Sequence, residues 1–278
     1  MRTLRGSVGG MLLACHAGPT VAVTALAAAL AISAGRTAQG VLVVTAAVLA
    51  TQLATGWCND AVDWRRDAAV GRRDKPIPRG DVSARAVGIA AVVATIVAVP
   101  LAFASGVPAG IALTAALASA LAYDLGIKAT VWSWVPFAVS FGLLPASIVL
   151  GLPGHPMPPF WVVAAGALLG VGAHVANVIP DTADDLATGI RGLPQRLGPA
   201  RARILVGLAL VGAAVFLVFG PAGPVDLPAA LALSLITVLG VVVAVLPVPP
   251  GSRLLFAAVV IVAVLDVTLL VARGTSVA

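Results

Sequence analysis

Nine apolar runs dominate this chain, at about residues 11–34, 41–58, 84–104, 108–125, 131–151, 160–180, 203–221, 227–247 and 253–272. Each approaches the roughly 20 residues that a helix needs to cross hydrocarbon. Hydrophobic residues make up 60% of the 278 and charged residues only 10%, against about 25% charged in soluble domains. Mean hydropathy is +1.07, which excludes a water-soluble globule. The expectation is an all-α polytopic membrane protein of about nine transmembrane helices, forming one integral-membrane domain over residues 1–278. Arg2 and Arg5 precede the first run as they would in a signal peptide. That run is long enough to span and lacks a convincing cleavage site, so it reads as a helix.

A net charge of +6 and a pI near 10.6 would fit nucleic acid only if the basic residues formed one patch. They lie instead in particular loops. With the N-terminus in the cytoplasm, fifteen Lys and Arg fall inside (Arg2, Arg5, the 65–85 loop, Lys128, the 191–203 loop, Arg253) and two outside, Arg36 and Arg273. The positive-inside rule then sets the N-terminus in and the C-terminus out. Membrane lipid, not nucleic acid, is the expected surrounding partner, in an integral cell-membrane protein. Cys15 and Cys58 offer neither a disulfide framework nor metal spacing and read as packing residues. Trp57, Trp64, Trp132, Trp134 and Trp161 fall near helix ends, as interfacial tryptophans do.

A polar pattern occurs twice, 118 residues apart. Asn59, Asp63, Asp67 and Gly71 are spaced by four, and so are Asn177, Asp181, Asp185 and Gly189. The match continues through Arg73/Arg191, Pro76/Pro194, Gly80/Gly198 and Arg85/Arg203. Carboxylates are scarce, with eleven Asp and no Glu in the whole chain, so this pairing is not a matter of composition. The repeat spans four crossings, which gives its two copies parallel topology and puts both acidic ends on the cytoplasmic side. It reads as a duplicated four-helix unit with one additional helix. A pseudo-symmetric bundle would bring the acidic ends together across a central cavity.

On a helix, a spacing of four advances the azimuth by only ~40° beyond a full turn and rises about 6 Å. Asn59, Asp63 and Asp67 therefore form one stripe, and Asn177, Asp181 and Asp185 another. Opposed carboxylate stripes repel when empty but suit a hard divalent cation such as Mg²⁺, which binds through carboxylates and substrate phosphates. Arg72, Arg73, Lys75 and Arg79 follow the first stripe, Arg191 follows the second, and Lys128 ends the fourth apolar run. Arg72, Lys128 and Arg191 are the candidates to clamp phosphate oxygens, whereas Arg65 and Arg66 read as topology markers. Acids, metal and cations at the mouth of an apolar bundle suit a lipid diphosphate whose tail lies in the bundle.

These residues resemble the signatures of a known family. Asn59-Asp60-x2-Asp63-x3-Asp67, followed by Lys75-Pro76-Ile-Pro78-Arg79-Gly80, is similar to the first signature of the UbiA superfamily of intramembrane prenyltransferases. Asp181-x3-Asp185-x3-Gly189-Ile-Arg191 resembles the second, and Tyr123 with Lys128 matches a Tyr-x4-Lys element. The resemblance implies a nine-helix bundle that binds a prenyl diphosphate through Mg²⁺ and transfers the prenyl group to a lipophilic or aromatic acceptor. By the same resemblance Asn59, Asp63, Asp67, Asp181 and Asp185 hold the metal, and Arg72, Lys128 and Arg191 contact the diphosphate. Asp60 and Asp184 are weaker candidates. His16-Ala-Gly-Pro19-Thr20 stands where many members that prenylate aromatic acids carry an Arg-Pro element, and Ala129 follows Lys128 where Arg is more usual.

His174 lies seven before Asp181, on the face of the second stripe, and either meets substrate or is bonded within the bundle. His16 is a similar, lesser case, and His155 sits in an external turn. Asp266, inside the ninth run, reads as paired with a hydroxyl or protonated in a structural role. The alternative function is a membrane-embedded class I terpene cyclase, in which an internal double bond captures the cation. A cation or proton transporter would favour acids near the bilayer midplane, whereas these sit at helix ends.

Overall fold

The computed structural model describes residues 4–247, 252 and 254–272. Arg2, Arg253 and Arg273, three of the charges used for the topology expectation, lie outside the described residues. So does most of the expected turn at 247–251. The chain is all-α: α1 (Leu4–Ala14), α2 (Ala17–Ser33), α3 (Ala38–Ala69), α4 (Ala84–Phe103), α5 (Val107–Leu125), α6 (Val135–Leu150), α7 (Phe160–Val178), α8 (Thr182–Ala187), α9 (Leu193–Phe219), α10 (Leu227–Val245) and α11 (Leu254–Ala272). Three helices begin on side-chain caps, where Thr37, Ser83 and Asp226 accept from the backbone N–H three residues on, each satisfying an orphan donor of the first turn.

Among the described residues six helices are long and apolar enough to cross a bilayer, or seven if α1 and α2, bent by 60° at His16, count as one crossing. The segments Val135–Leu150 and Leu254–Thr268 are apolar but shorter. Large apolar side chains such as Ile96, Leu231 and Val238 point outward and are exposed, as lipid contact requires. Between helices the packing is Ala- and Gly-rich, because small side chains let backbones approach closely in a bilayer. A Cβ on Gly56 of α3 would lie 2.5 Å from the carbonyl oxygen of Cys15 at the α1–α2 elbow.

Helix α3 runs on well past the apolar run that starts it. Its 32 residues rise about 48 Å, against about 30 Å of hydrocarbon, so the first acidic stripe is helical throughout. The second stripe is not one helix. After α7 a 3-10 turn covers Ile179–Asp181 before α8 resumes. Pro180 has no N–H to give and its ring crowds the carbonyl four residues back, a break the spacing argument overlooked.

The repeat is nevertheless structural. Gly71 and Gly189 both adopt left-handed φ values, 70° and 84°, and so do Gly80 and Gly198, at 80° and 76°. Both acidic helices end in the same cap. Arg72 N–H reaches the Asp67 carbonyl at 2.9 Å, and Ile190 N–H reaches the Asp185 carbonyl at 2.8 Å. This is the six-to-one bond of a Schellman ending, for which glycine supplies the left-handed residue.

Candidate active site

A cavity of about 510 Å³ opens between the two acidic helix ends and continues inward between apolar walls. Asn59, Asp63 and Asp67 line it from α3, and Asn177, Asp181 and Asp185 from the α7–α8 segment. The two stripes therefore do share one mouth. Arg72 spans it, with both Nε and Nη2 donating to Asp74 at 2.9 Å while Nη1 stands 3.4 Å from Asp181 and 4.0 Å from Asp184. The Asp74 hydrogen bond raises the Arg72 pKa, and the guanidinium in turn holds the Asp74 carboxyl down at about 2. Asp74 thus ionises more readily folded than unfolded. This loop pair contributes above the ordinary Asp value near 4 and is lost as pH falls through about 2.

Lys128 comes from the 3-10 turn Ile127–Ala129 after α5. It is buried, and its Nζ donates to Asp63 Oδ1 at 2.5 Å. Arg66 takes the other oxygen of Asp63 at 2.6 Å and also lines the cavity. The reading of Arg66 as a topology marker is therefore corrected. One turn of helix places it beside Asp63, where the side chain turns inward. Asn59 donates to Asp124 at 2.8 Å and, more weakly, to Asp63 at 3.4 Å, so the two acids fix the orientation of its amide. Asp60 points away from the stripe. It is 2% exposed and accepts from Lys75 at 2.5 Å, with His16 Nε2 3.0 Å away. That cluster ties the basic loop to the α1–α2 elbow and makes Asp60 a structural acid.

Behind the acids the wall becomes aromatic. Tyr123 meets Phe137 edge-on at 5.1 Å and His174 at 5.4 Å. His174 lines the cavity and is also bonded within the bundle. Its Nε2 is 3.0 Å from Ser133 Oγ, which itself accepts from Leu193 N–H. Its Nδ1 has no hydrogen-bond partner among the described residues. Gln195 donates to Asp185 at 2.7 Å. Ser133 and Gln195 were not found from sequence, since no spacing links them to the acids. Arg191 is exposed and is not part of the cavity wall, although Ile190 beside it is. Asp266 lines the cavity, but no partner hydroxyl meets it among the described residues.

Fold and site together define an all-α integral membrane protein with a polar, acid-lined mouth on an apolar cavity. The model of the UbiA prenyltransferase family matches residues 19–256, and the chain belongs to that family. A UbiA homolog from Archaeoglobus fulgidus bound to DMAPP and Mg²⁺ superposes with a TM-score of 0.69 at 17% identity, covering 96% of this chain and 98% of that one. The apo UbiA homolog from Aeropyrum pernix K1 gives 0.71 at 18% identity, covering 92% and 96%. A digeranylgeranylglyceryl phosphate synthase gives 0.68 at 13%, covering 96% and 98%. At these identities the likeness is one of fold. No curated protein matches the chain.

Proposed function

We propose that the chain transfers a prenyl group from a prenyl diphosphate to a lipophilic or aromatic acceptor, with Mg²⁺ as its metal. The observation that carries this reading is the single cavity that joins two aspartate clusters and their cations to apolar walls. DMAPP and Mg²⁺ in the A. fulgidus homolog support the same choice of ligand. Asn59, Asp63, Asp67, Asp181 and Asp185 would hold the metal, which supplies neutralising charge to the departing diphosphate. All five offer hard oxygen donors. No three acidic, His or Cys side chains among the described residues are grouped tightly enough to hold an ion alone. That fits Mg²⁺, which binds through one or two carboxylates and completes its shell with substrate oxygens and water.

The chain's own cations do the remaining electrostatic work. Lys128, Arg66 and Arg72 stand at the mouth already paired with acids, from which they can turn to phosphate oxygens. Tyr123 and Phe137 close the wall behind them, with His174 and Asn177 beside. A dry wall there lets an allylic cation meet the acceptor before water does. We further propose nine crossings, counting the bent α1–α2 pair once and including α6 and α11, within one domain over residues 1–278. That count puts the N-terminus and the site on one face and the C-terminus on the other, and the basic loops beside the site make the first face cytoplasmic.

Purified protein incubated with dimethylallyl, geranyl, farnesyl and geranylgeranyl diphosphates, with and without native membrane extract, tests the function by mass analysis of products. A prenylated product that requires extract and disappears with EDTA is the expected result. A cyclic hydrocarbon or alcohol formed without extract would assign the ionised chain to cyclisation instead, and unchanged substrates would overturn both. Arg72→Ala is expected to raise KM for the diphosphate about tenfold, the worth of a charge-assisted hydrogen bond. Arg191→Ala, at an exposed position, should shift it less than about threefold. Steady-state kinetics in nanodiscs separates the two.

A further inference from the structure

One acid in the cavity takes no part in the mouth. Asp266 of α11 is 2% exposed, and neither of its carboxyl oxygens has a hydrogen-bond partner among the described residues. The cavity wall takes Phe256, Val259, Val260, Ala263, Asp266 and Val267 from α11. That spacing is one helical face, and Asp266 belongs to it. Chain order gives the depth: α9 leaves the acidic end, α10 returns and α11 leaves again. Asp266 stands ten residues beyond Phe256, about 15 Å of helix rise.

The threonine and serine hydroxyls of the wall are already spent on backbone carbonyls. Thr20 donates to Cys15, Thr55 to Thr51 and Ser140 to Ala116. Gln52 of α3, seven residues or about 10 Å before Asn59, also lines the cavity with no side-chain hydrogen bond among the described residues. An unpartnered carboxyl within apolar helices costs stability, and such groups in membrane helices mark places where a ligand is handled.

We propose that Asp266 forms a hydroxyl-recognition subsite inside the cavity, which takes a lipid alcohol. A hydroxyl suits this acid in either protonation state. It donates to a carboxylate, and with a neutral acid it can both donate and accept. An ammonium would have to give up its hydration among apolar walls, a far larger cost than a neutral hydroxyl incurs. Resting on the prenyl-transfer reading, the hydroxylated lipid is the second substrate, and its hydroxyl lies at the end remote from the atom that is prenylated.

The test uses the full chain in nanodiscs, with the mouth filled by inorganic diphosphate and Mg²⁺. Binding of 1-dodecanol and of dodecane is compared by native mass spectrometry. The intact protein should prefer the alcohol about tenfold, the worth of one buried hydrogen bond. Asp266→Asn, which still donates and accepts, should keep that preference within about threefold, and Asp266→Leu should abolish it. Unchanged Mg²⁺-dependent diphosphate binding shows that both variants are folded. No preference in the intact protein overturns the subsite, as does a preference that survives Asp266→Leu. If Asp266→Asn fails as fully as Asp266→Leu, charge is what matters and the hydroxyl assignment is wrong. Failure of diphosphate to bind the intact protein would instead remove the prenyl-transfer reading, and an Asp266-dependent preference for the alcohol would still stand.

Discussion

Asp63→Asn should lower Mg²⁺-dependent diphosphate release by roughly 10²- to 10³-fold, the usual effect of removing one preorganised electrostatic group. The substitution preserves size but removes the charge and one of the two acceptor oxygens, so the loss reports the carboxylate itself. Asp63 accepts from Lys128 on one oxygen and pairs with Arg66 on the other. As a proposed ligand it also gives the metal a hard anionic oxygen. The variant should therefore need more Mg²⁺ for half-maximal rate as well as turning over more slowly. Asp181→Asn, across the mouth, should behave alike, because on the proposed assignment the diphosphate is held between the two helix ends. A phosphate-release assay over a Mg²⁺ titration measures both effects. Full turnover in either variant would remove the metal assignment.

Lys128→Met should lower both rate and stability. The ammonium is buried and lies 2.5 Å from Asp63 Oδ1. Removing one partner of such a pair leaves the other charge uncompensated, at a cost of about 3 kcal/mol. Arg66 remains beside Asp63 and keeps the loss towards the low end. Thermal unfolding in a fixed detergent should show it. The double variant Lys128→Met/Asp63→Asn strands no fully buried charge, leaving only the part-exposed Arg66 without its acid, and should recover most of the stability while remaining inactive. A double variant as unstable as Lys128→Met alone would mean that the lysine acts through packing of its stem.

The sequence made the apolar runs legible because each helix must satisfy its backbone in hydrocarbon, which leaves a long uniform signal. The duplicated motif was equally readable. Its two copies end in the same left-handed glycine and the same backbone bond, so the spacing in the chain is a spacing in space. The rest depended on contacts between distant segments. His16 reaches Asp60 across 44 residues, Lys128 reaches Asp63 across 65, and Ser133 meets Leu193 across 60. No local pattern announces these. Arg66 was misread because a basic residue beside a membrane helix looks the same whether it serves topology or turns towards an acid. The break at Pro180 was visible as a residue, but regular spacing outweighed it.

The overhang of α3 sorts the reaction by dielectric. Because the acid stripe stands beyond the oily slab, the ionic half of a substrate never has to be dragged into it, and only its greasy half is swallowed. On the prenyl-transfer reading, a departing diphosphate at that level faces water while the lipid product stays with the apolar walls, so the two part as soon as the bond breaks.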